Sequence, residues 1–247
     1  MSLRIENINF EYKTKHILND VCLDAEYGNV VSIIGPNGSG KTTFIKCINK
    51  ILKPKKGSVK LNEKNLYLMK QQDIAKKIAY VPQMTNDFFS GTVMDLVIMG
   101  RKPYINWNIS EEDIKIVLDI LDSMGILHLA DKFYSELSGG QKQKVLIARA
   151  LAQDTDIYLL DEPISFLDIK NQIEVMKIAR NLAQKGKIVI IVVHDLNMAM
   201  KYSDKILLLE DGYVISQGKP KEVLTESNIK KVYDVDVDIR GDYIVSI

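Results

Sequence analysis

Apolar positions along this chain follow two rhythms. Short runs at Val30 to Ile34, Ile157 to Leu160, Ile188 to Val193 and Ile206 to Leu209 are almost continuously apolar, as expected of strands buried on both faces. Longer segments with helical spacing lie between them, the alternation that builds parallel βαβ units. Ahead of the first run, Leu3 to Tyr12 and His16 to Ala25 alternate apolar with polar residues and predict two antiparallel strands joined by a polar turn. From residue 84 to 152 the pattern turns helical. Val93, Leu96 and Val97 form one stripe, Ile114, Val117, Leu118 and Leu121 a second, and Ser110 with Asp113 resembles a capping box ahead of the second. Further helices are expected over Thr43 to Ile51, from the signature region described below to Ala152, and over Glu226 to Tyr233, the last followed by a short alternating strand pattern.

These patterns predict one α/β domain over 1–247. A mainly parallel core with an N-terminal antiparallel β subdomain spans 1–83 and 153–247, and a helical subdomain is inserted at 84–152. Composition narrows the class. With 46% hydrophobic and 26% charged residues the chain is no disordered tail. Thirty-three Lys plus Arg against thirty-two Asp plus Glu leave a net charge of +1, too little to draw in nucleic acid or an anionic bilayer over the whole surface. No apolar run approaches the ~18 to 20 residues that span a membrane, and the first residues lack the pattern of a signal peptide. A soluble intracellular chain that can dock on a membrane protein is therefore expected. Cys22 and Cys47 have no metal-ligand spacing, and both are expected in the core.

The chemistry begins at Gly35-Pro36-Asn37-Gly38-Ser39-Gly40-Lys41-Thr42, followed by Thr43, which fits G-x-x-x-x-G-K-[ST] between a buried strand and a helix. Glycines let successive N–H groups converge on phosphate oxygens, and the helix N-terminus adds its positive dipole end. Lys41 would reach the β- and γ-phosphates of a bound nucleotide, and the Thr42 hydroxyl would complete the Mg²⁺ shell. Asp161 and Glu162, at the end of the apolar run Ile157 to Leu160, stand where open α/β sheets bind ligands. Asp161 would hold the metal, and Glu162 would orient the attacking water.

Leu137-Ser138-Gly139-Gly140-Gln141 is the most discriminating stretch. Here the chain resembles the ATP-binding cassette (ABC) family, whose signature is LSGGQ, over essentially its whole length. The resemblance implies a P-loop NTPase fold and a head-to-tail homodimer in which the signature of one copy meets the nucleotide on the P-loop of the other. It matches Tyr12 to the aromatic that stacks on adenine. Gln83 matches the glutamine that touches Mg²⁺ and reports to a partner, and His194 the switch histidine. Asp168 closes a D-loop that departs from the usual pattern at Ile164 and Phe166. His16 and His128 match nothing catalytic.

The stretch between Lys41 and Ser138 is too short for the coiled coil of a chromosome ATPase, and a single cassette argues against a translation factor. A transporter subunit is the expected class, with an iron–sulfur assembly cassette as the alternative. Its similarity is strongest to importers of ferric siderophores, through Met99-Gly100-Arg101-Lys102-Pro103-Tyr104, His128 to Asp131 and His194-Asp195-Leu196-Asn197; haem and cobalamin importers share most of these features. The implied partners are transmembrane permease subunits and, indirectly, a substrate-binding protein, with no nucleic acid, at the cytoplasmic face of the membrane. Met84, Phe88, Phe89, Met94 and Met99 lie in the segment the family offers to a permease helix, with Phe88 and Phe89 as the expected contacts and Met94 and Met99 the more core-like.

Overall fold

The computed structural model describes residues 2–83, 89–105, 107–165 and 167–246. Met84, Phe88 and Phe166 lie outside them. The chain opens with β1 (Ser2–Tyr12), β2 (Lys15–Glu26), β3 (Val30–Ile34), α1 (Lys41–Ile48), β4 (Lys56–Leu61), β5 (Lys64–Asn65), α2 (Gln71–Ala75) and β6 (Ile78–Val81). Three helices follow, α3 (Val93–Ile98), α4 (Glu111–Ser123) and α5 (Gly139–Ala152). The chain then returns through β7 (Ile157–Asp161), α6 (Ile169–Gln184), β8 (Ile188–Val192), α7 (Leu196–Tyr202), β9 (Lys205–Glu210) and β10 (Tyr213–Gly218). It ends in α8 (Pro220–Val223), α9 (Glu226–Tyr233), β11 (Val237–Arg240) and β12 (Tyr243–Ser246).

The central sheet has the order β10-β9-β3-β8-β7-β6, parallel except for β10. A second sheet, β2-β1-β4-β5, is antiparallel. The continuous apolarity of the core strands follows from this layering. Val31, Ile33, Leu159, Ile190 and Leu207 pack with Leu3, Ile5 and Phe44 toward the antiparallel sheet and α1. Val30, Ile34, Leu160, Ile191 and Leu208 pack in the cluster that includes Val97, Val117, Val145 and Val175 of the helical layer. Successive strand residues point to opposite faces, so a strand covered on both sides has no polar alternation.

Several sequence expectations shift. The helix after the glycine-rich loop runs from Lys41 to Ile48, starting and ending before the expected Thr43 and Ile51. It stops because Lys50 is left-handed at φ 55° and the Ile51 and Leu52 amides bond back to the Lys46 carbonyl, leaving Ile51 exposed. Strand β8 ends at Val192, one residue early. Strand β4, outside the expected set, alternates Ser58 and Lys60 with the buried Val59 and Leu61. The capping box at α4 is present: Ser110 Oγ accepts from the Asp113 amide at 3.1 Å, and the Asp113 carboxylate accepts from the Ser110 amide at 3.2 Å. Of the expected stripe on that helix, Val117 and Leu121 are buried whereas Ile114 and Leu118 are exposed. Cys47 is buried, its thiol pushed up to about 12 by desolvation, but Cys22 is only half-buried and takes the Asn7 amide on sulfur at 3.2 Å.

Candidate functional site

Four neighbouring parallel strands, β3, β8, β7 and β6, end at the same edge of the sheet. Each delivers one expected group there: the glycine-rich loop after β3, His194 after β8, Asp161 and Glu162 at β7, and Gln83 after β6. This is the carboxyl edge where ligands of open α/β sheets bind.

The loop after β3 is shaped by its glycines. A Cβ on Gly35 would lie 2.0 Å from the Leu209 carbonyl oxygen, so nothing larger fits. Gly40 caps α1 at φ 98°, a left-handed position where a Cβ would also strike Leu18 and the Ile17 carbonyl within 3 Å. Lys41 is buried, and its ammonium donates to the Gly35 and Pro36 carbonyls at 2.9 and 2.8 Å. Burial draws its pKa down, against the pull of the Glu162 and Asp161 charges. Ser39 Oγ is buried and makes no hydrogen bond, an orphaned donor within the loop.

A cleft of about 290 Å³ opens above the loop, lined by Asn37, Gly38, Gly40, Lys41, Thr42, Thr43 and Glu162 together with Lys15 and Ile17. Lys15 and Ile17 were absent from the expected set. The β1–β2 turn brings them over the loop, and no local motif signals that. Tyr12 sits on the same hairpin, about half exposed, with its ring edge-on to Phe10 at 4.8 Å.

Asp161 is fully buried and accepts from both sides, from Thr42 Oγ1 at 2.9 Å on one oxygen and from Tyr80 Oη at 3.1 Å on the other. Desolvation raises its pKa, opposed by those two bonds, while the Glu162 charge adds to the rise. Glu162 stands at φ 50°, a left-handed position costly for a residue with a Cβ. Its carboxylate gathers three partners: Gln83 Nε2 donates at 2.8 Å, Ser165 Oγ at 3.2 Å, and His194 Nε2 lies 2.7 Å from the other oxygen. The expected catalytic residues Gln83, Glu162 and His194 thus meet in one cluster.

Leu137 to Gln141 lie apart, and none of them lines the cleft above the loop. Ser138 caps α5, with its hydroxyl accepting from the Gln141 amide and the Gln141 side chain accepting from the Ser138 amide at 3.0 Å. Gly140 packs against Asn171 and Leu167, and a Cβ there would come within 3.3 Å of the Asn171 amide. Asp168 caps α6 by bonding the Asn171 backbone and side-chain nitrogens, both at 2.8 Å. Ile164 of the same loop is buried in the core rather than offered to solvent. The signature turn and the loop around Asp168 therefore form one packed unit.

The donors fit the groups they are expected to hold. Backbone amides in a glycine-rich turn, an orphaned hydroxyl and a buried ammonium suit a polyphosphate. A threonine hydroxyl bonded to a carboxylate suits Mg²⁺, which takes one or two protein oxygens and completes its shell with phosphate and water. Among the described residues there is no cluster of three His, Cys, Asp or Glu of the kind that cages a metal by itself.

Comparison with known proteins decides the family. The ABC transporter family profile matches residues 18–165. The chain belongs to the ABC transporter family. It is 45% identical to an uncharacterised ABC transporter ATP-binding protein of Methanocaldococcus jannaschii, across 99% of this chain and 97% of that one. A petrobactin import ATP-binding protein of Bacillus subtilis is 34% identical over 96% of this chain and 95% of its own. Among solved structures, an inward-facing metal-chelate type ABC transporter superposes with a TM-score of 0.84 at 28% identity, covering 100% of this chain and 95% of that one. This cassette has the family's P-loop NTPase α/β fold and is an ATPase. No helix among the described residues is long and apolar enough to cross a membrane.

Proposed function

We propose that this chain is the ATP-hydrolysing subunit of an importer, and that the cargo is an iron(III)-siderophore. The observation that carries the enzymatic part is the convergence of Gln83, Ser165 and His194 on Glu162 beside the P-loop. A carboxylate held by groups from β6, β7 and β8 senses movement of any of them, which suits hydrolysis coupled to motion elsewhere. The cargo is supported by full-length kinship with the petrobactin import relative and by the siderophore-type segments from Met99 and His194.

In this reading Asn37 to Thr43 bind the phosphates of ATP, and Lys41 leaves the loop carbonyls for the β- and γ-phosphates. Thr42, Asp161 and Gln83 would hold Mg²⁺. When bound, the metal neutralises phosphate charge as it develops. Glu162 orients the attacking water and His194 steadies it, a positioning task in which most of the rate comes from fixed charges and geometry. Tyr12 stacks on the adenine. Leu137 to Gln141 reach the nucleotide of a second copy, so two chains close head to tail over two ATP with the Asp168 loops between them. Such closure gives a role to the signature turn, which does not line the cleft of its own chain.

The permease subunits dock at the cytoplasmic face of the membrane, with a substrate-binding protein delivering cargo on the far side. Phe89 is a poor contact: it is half-buried, edge-on to Tyr134 at 6.3 Å, and serves packing. A cleft of about 560 Å³ nearby, lined by Gln71, Met99, Lys102, Pro103, Ile105 and Arg149, offers a better seat for an amphipathic helix. Met94 packs against the core as expected, whereas Met99 is 49% exposed and supplies the adaptable side chain of this seat. Neither the site nor the relatives favour the iron–sulfur assembly alternative.

The test is ATPase stimulation in a vesicle-reconstituted permease, with ferric siderophore, haem or cobalamin on the binding protein. Stimulation by the ferric siderophore alone is expected. Stimulation by haem or cobalamin instead would overturn the cargo, and hydrolysis indifferent to the permease would overturn the transport role.

A further inference from the structure

Tyr80 stands in β6 among the buried apolar residues Ile78, Ala79 and Val81, yet its hydroxyl ends on the buried carboxylate of Asp161. The register between β6 and β7 explains how. Tyr80 is opposite Leu159, and because side chains alternate along a strand, Asp161, two residues on, shares the Leu159 face. The aromatic ring packs partly buried against the core beneath the antiparallel sheet, so the phenol is delivered on a rigid stem. Thr42 Oγ1 approaches the other carboxylate oxygen at 2.9 Å from the start of α1. The two donors, one on each oxygen, fix both the rotation of the carboxylate and the direction of its free lone pairs. Asp161 has no exposed surface.

We propose that Tyr80 is a positioning residue for the metal: its hydroxyl holds Asp161 in the orientation that lets Asp161 and Thr42 act together on Mg²⁺. The proposal rests on the nucleotide site described above and adds to it a residue outside every motif of that site. Groups that hydrogen-bond a metal-binding side chain set its orientation, and losing one costs about 10-fold to 100-fold in metal affinity. Phenylalanine at this position keeps the ring and removes only the donor.

The experiment measures binding of a fluorescent ADP analogue to the full-length chain in EDTA and across a Mg²⁺ titration, for the wild type, Tyr80→Phe, Asp161→Asn and the double variant. Tyr80→Phe is expected to bind the analogue in EDTA like the wild type, but to need about tenfold more Mg²⁺ for half of the metal-dependent gain in affinity. In the Asp161→Asn background the same change should have no further effect, because the carboxylate it acts on is gone. Mn²⁺ electron paramagnetic resonance gives a second reading, with weaker retention of the ion by Tyr80→Phe in the presence of ADP. An unchanged Mg²⁺ midpoint, or equal weakening in EDTA and in Mg²⁺, would overturn the role of Tyr80 while the nucleotide site stands. A wild-type chain that binds no nucleotide in either condition would overturn the nucleotide reading and this proposal with it.

Discussion

Glu162→Gln separates the chemical step from everything that builds the site. The substitution preserves size and the left-handed backbone position, so its cost in strain is the same before and after. What changes is the count of acceptors. Glu162 offers Oε2 to Gln83 and Ser165 and Oε1 to His194 Nε2 at 2.7 Å. A glutamine keeps one oxygen, which can still take Gln83 and Ser165, and turns an NH₂ toward His194. That contact survives if the imidazole carries its proton on Nδ1 and accepts on Nε2. One exchanged hydrogen bond is worth about 0.5 to 1.5 kcal/mol, so stability should change by no more than that. Removing the group proposed to orient and polarise water should instead slow turnover by about 10² to 10⁴-fold, equivalent to about 2.7 to 5.4 kcal/mol on the barrier. Phosphate release from the purified chain, thermal unfolding and size-exclusion chromatography with Mg·ATP read the three consequences. The expected result is slow hydrolysis, a nearly unchanged melting midpoint and accumulation of an ATP-held dimer. Hydrolysis near the wild-type rate would refute the assignment of Glu162 as the group that acts on water.

Lys41→Ala removes the buried ammonium proposed to reach phosphate; charge-assisted bonds of that kind are worth about 1.5 to 3 kcal/mol, so ATP affinity measured by calorimetry should fall at least about tenfold. An affinity equal to wild type would exclude Lys41 from phosphate binding. Met99→Glu puts a charge on an exposed wall of the groove beside α2, and should reduce co-purification with the permease without altering basal ATPase activity of the isolated chain. Undiminished co-purification would place the permease elsewhere. Arg101 binds Asp113 at 2.9 Å and the Ala152 carbonyl at 3.0 Å, with both charged side chains nearly buried, so Arg101→Ala should cost about 3 kcal/mol, read as a lowered urea midpoint. The Ser110 hydroxyl first, then Arg101, hold the Asp113 pKa below its ordinary value. That stabilisation is complete above the unfolded-state value of about 3.9 and is lost as pH falls through the lower folded value, so Asp113→Asn should flatten the acid limb of stability against pH. An acid limb as steep as in the wild type would show that the Asp113 carboxylate contributes nothing there.

Much of this molecule was legible because its chemistry is packed into short segments. The P-loop residues are contiguous, so their spacing alone dictates a strand, a turn of amides and a helix. Asp161 and Glu162 follow an apolar run whose end has to lie at the edge of the sheet. Gln83 and His194 carried no such local signal; only resemblance joined them to Glu162, and the strand order β3-β8-β7-β6 supplies the physical reason. Lys15, Ile17 and Tyr80 stayed hidden for the same reason in reverse. Their roles depend on a hairpin folding over the loop and on which residue of β6 faces which of β7, quantities no periodicity encodes. Phe89 lies in a loop yet is half-buried, because Tyr134, brought near through the bridge between Thr92 and Phe133, gives it a ring to pack on.

Glu162 shows where local preference and function part. Its left-handed backbone disfavours any residue with a Cβ by about 1 to 2 kcal/mol, and glycine would relieve that cost. Several other non-glycine residues at positive φ are Asn, Asp or Lys in turns, where solvent and local bonds tolerate them. Glu162 instead lies in the most heavily bonded part of the site, with donors from three neighbouring strand ends fixing its carboxylate. The strained backbone turns the side chain back across the strand ends, out of line with Asp161 beside it. Two adjacent carboxylates thereby face different partners, Asp161 the Thr42 and Tyr80 hydroxyls and Glu162 the Gln83 amide and His194 ring. A relaxed extended residue at 162 would point to the opposite face of the strand from Asp161, whereas Glu162 as it stands lines the cleft above the loop. The left-handed turn at Glu162 lets one strand end aim two adjacent carboxylates at different sets of partners.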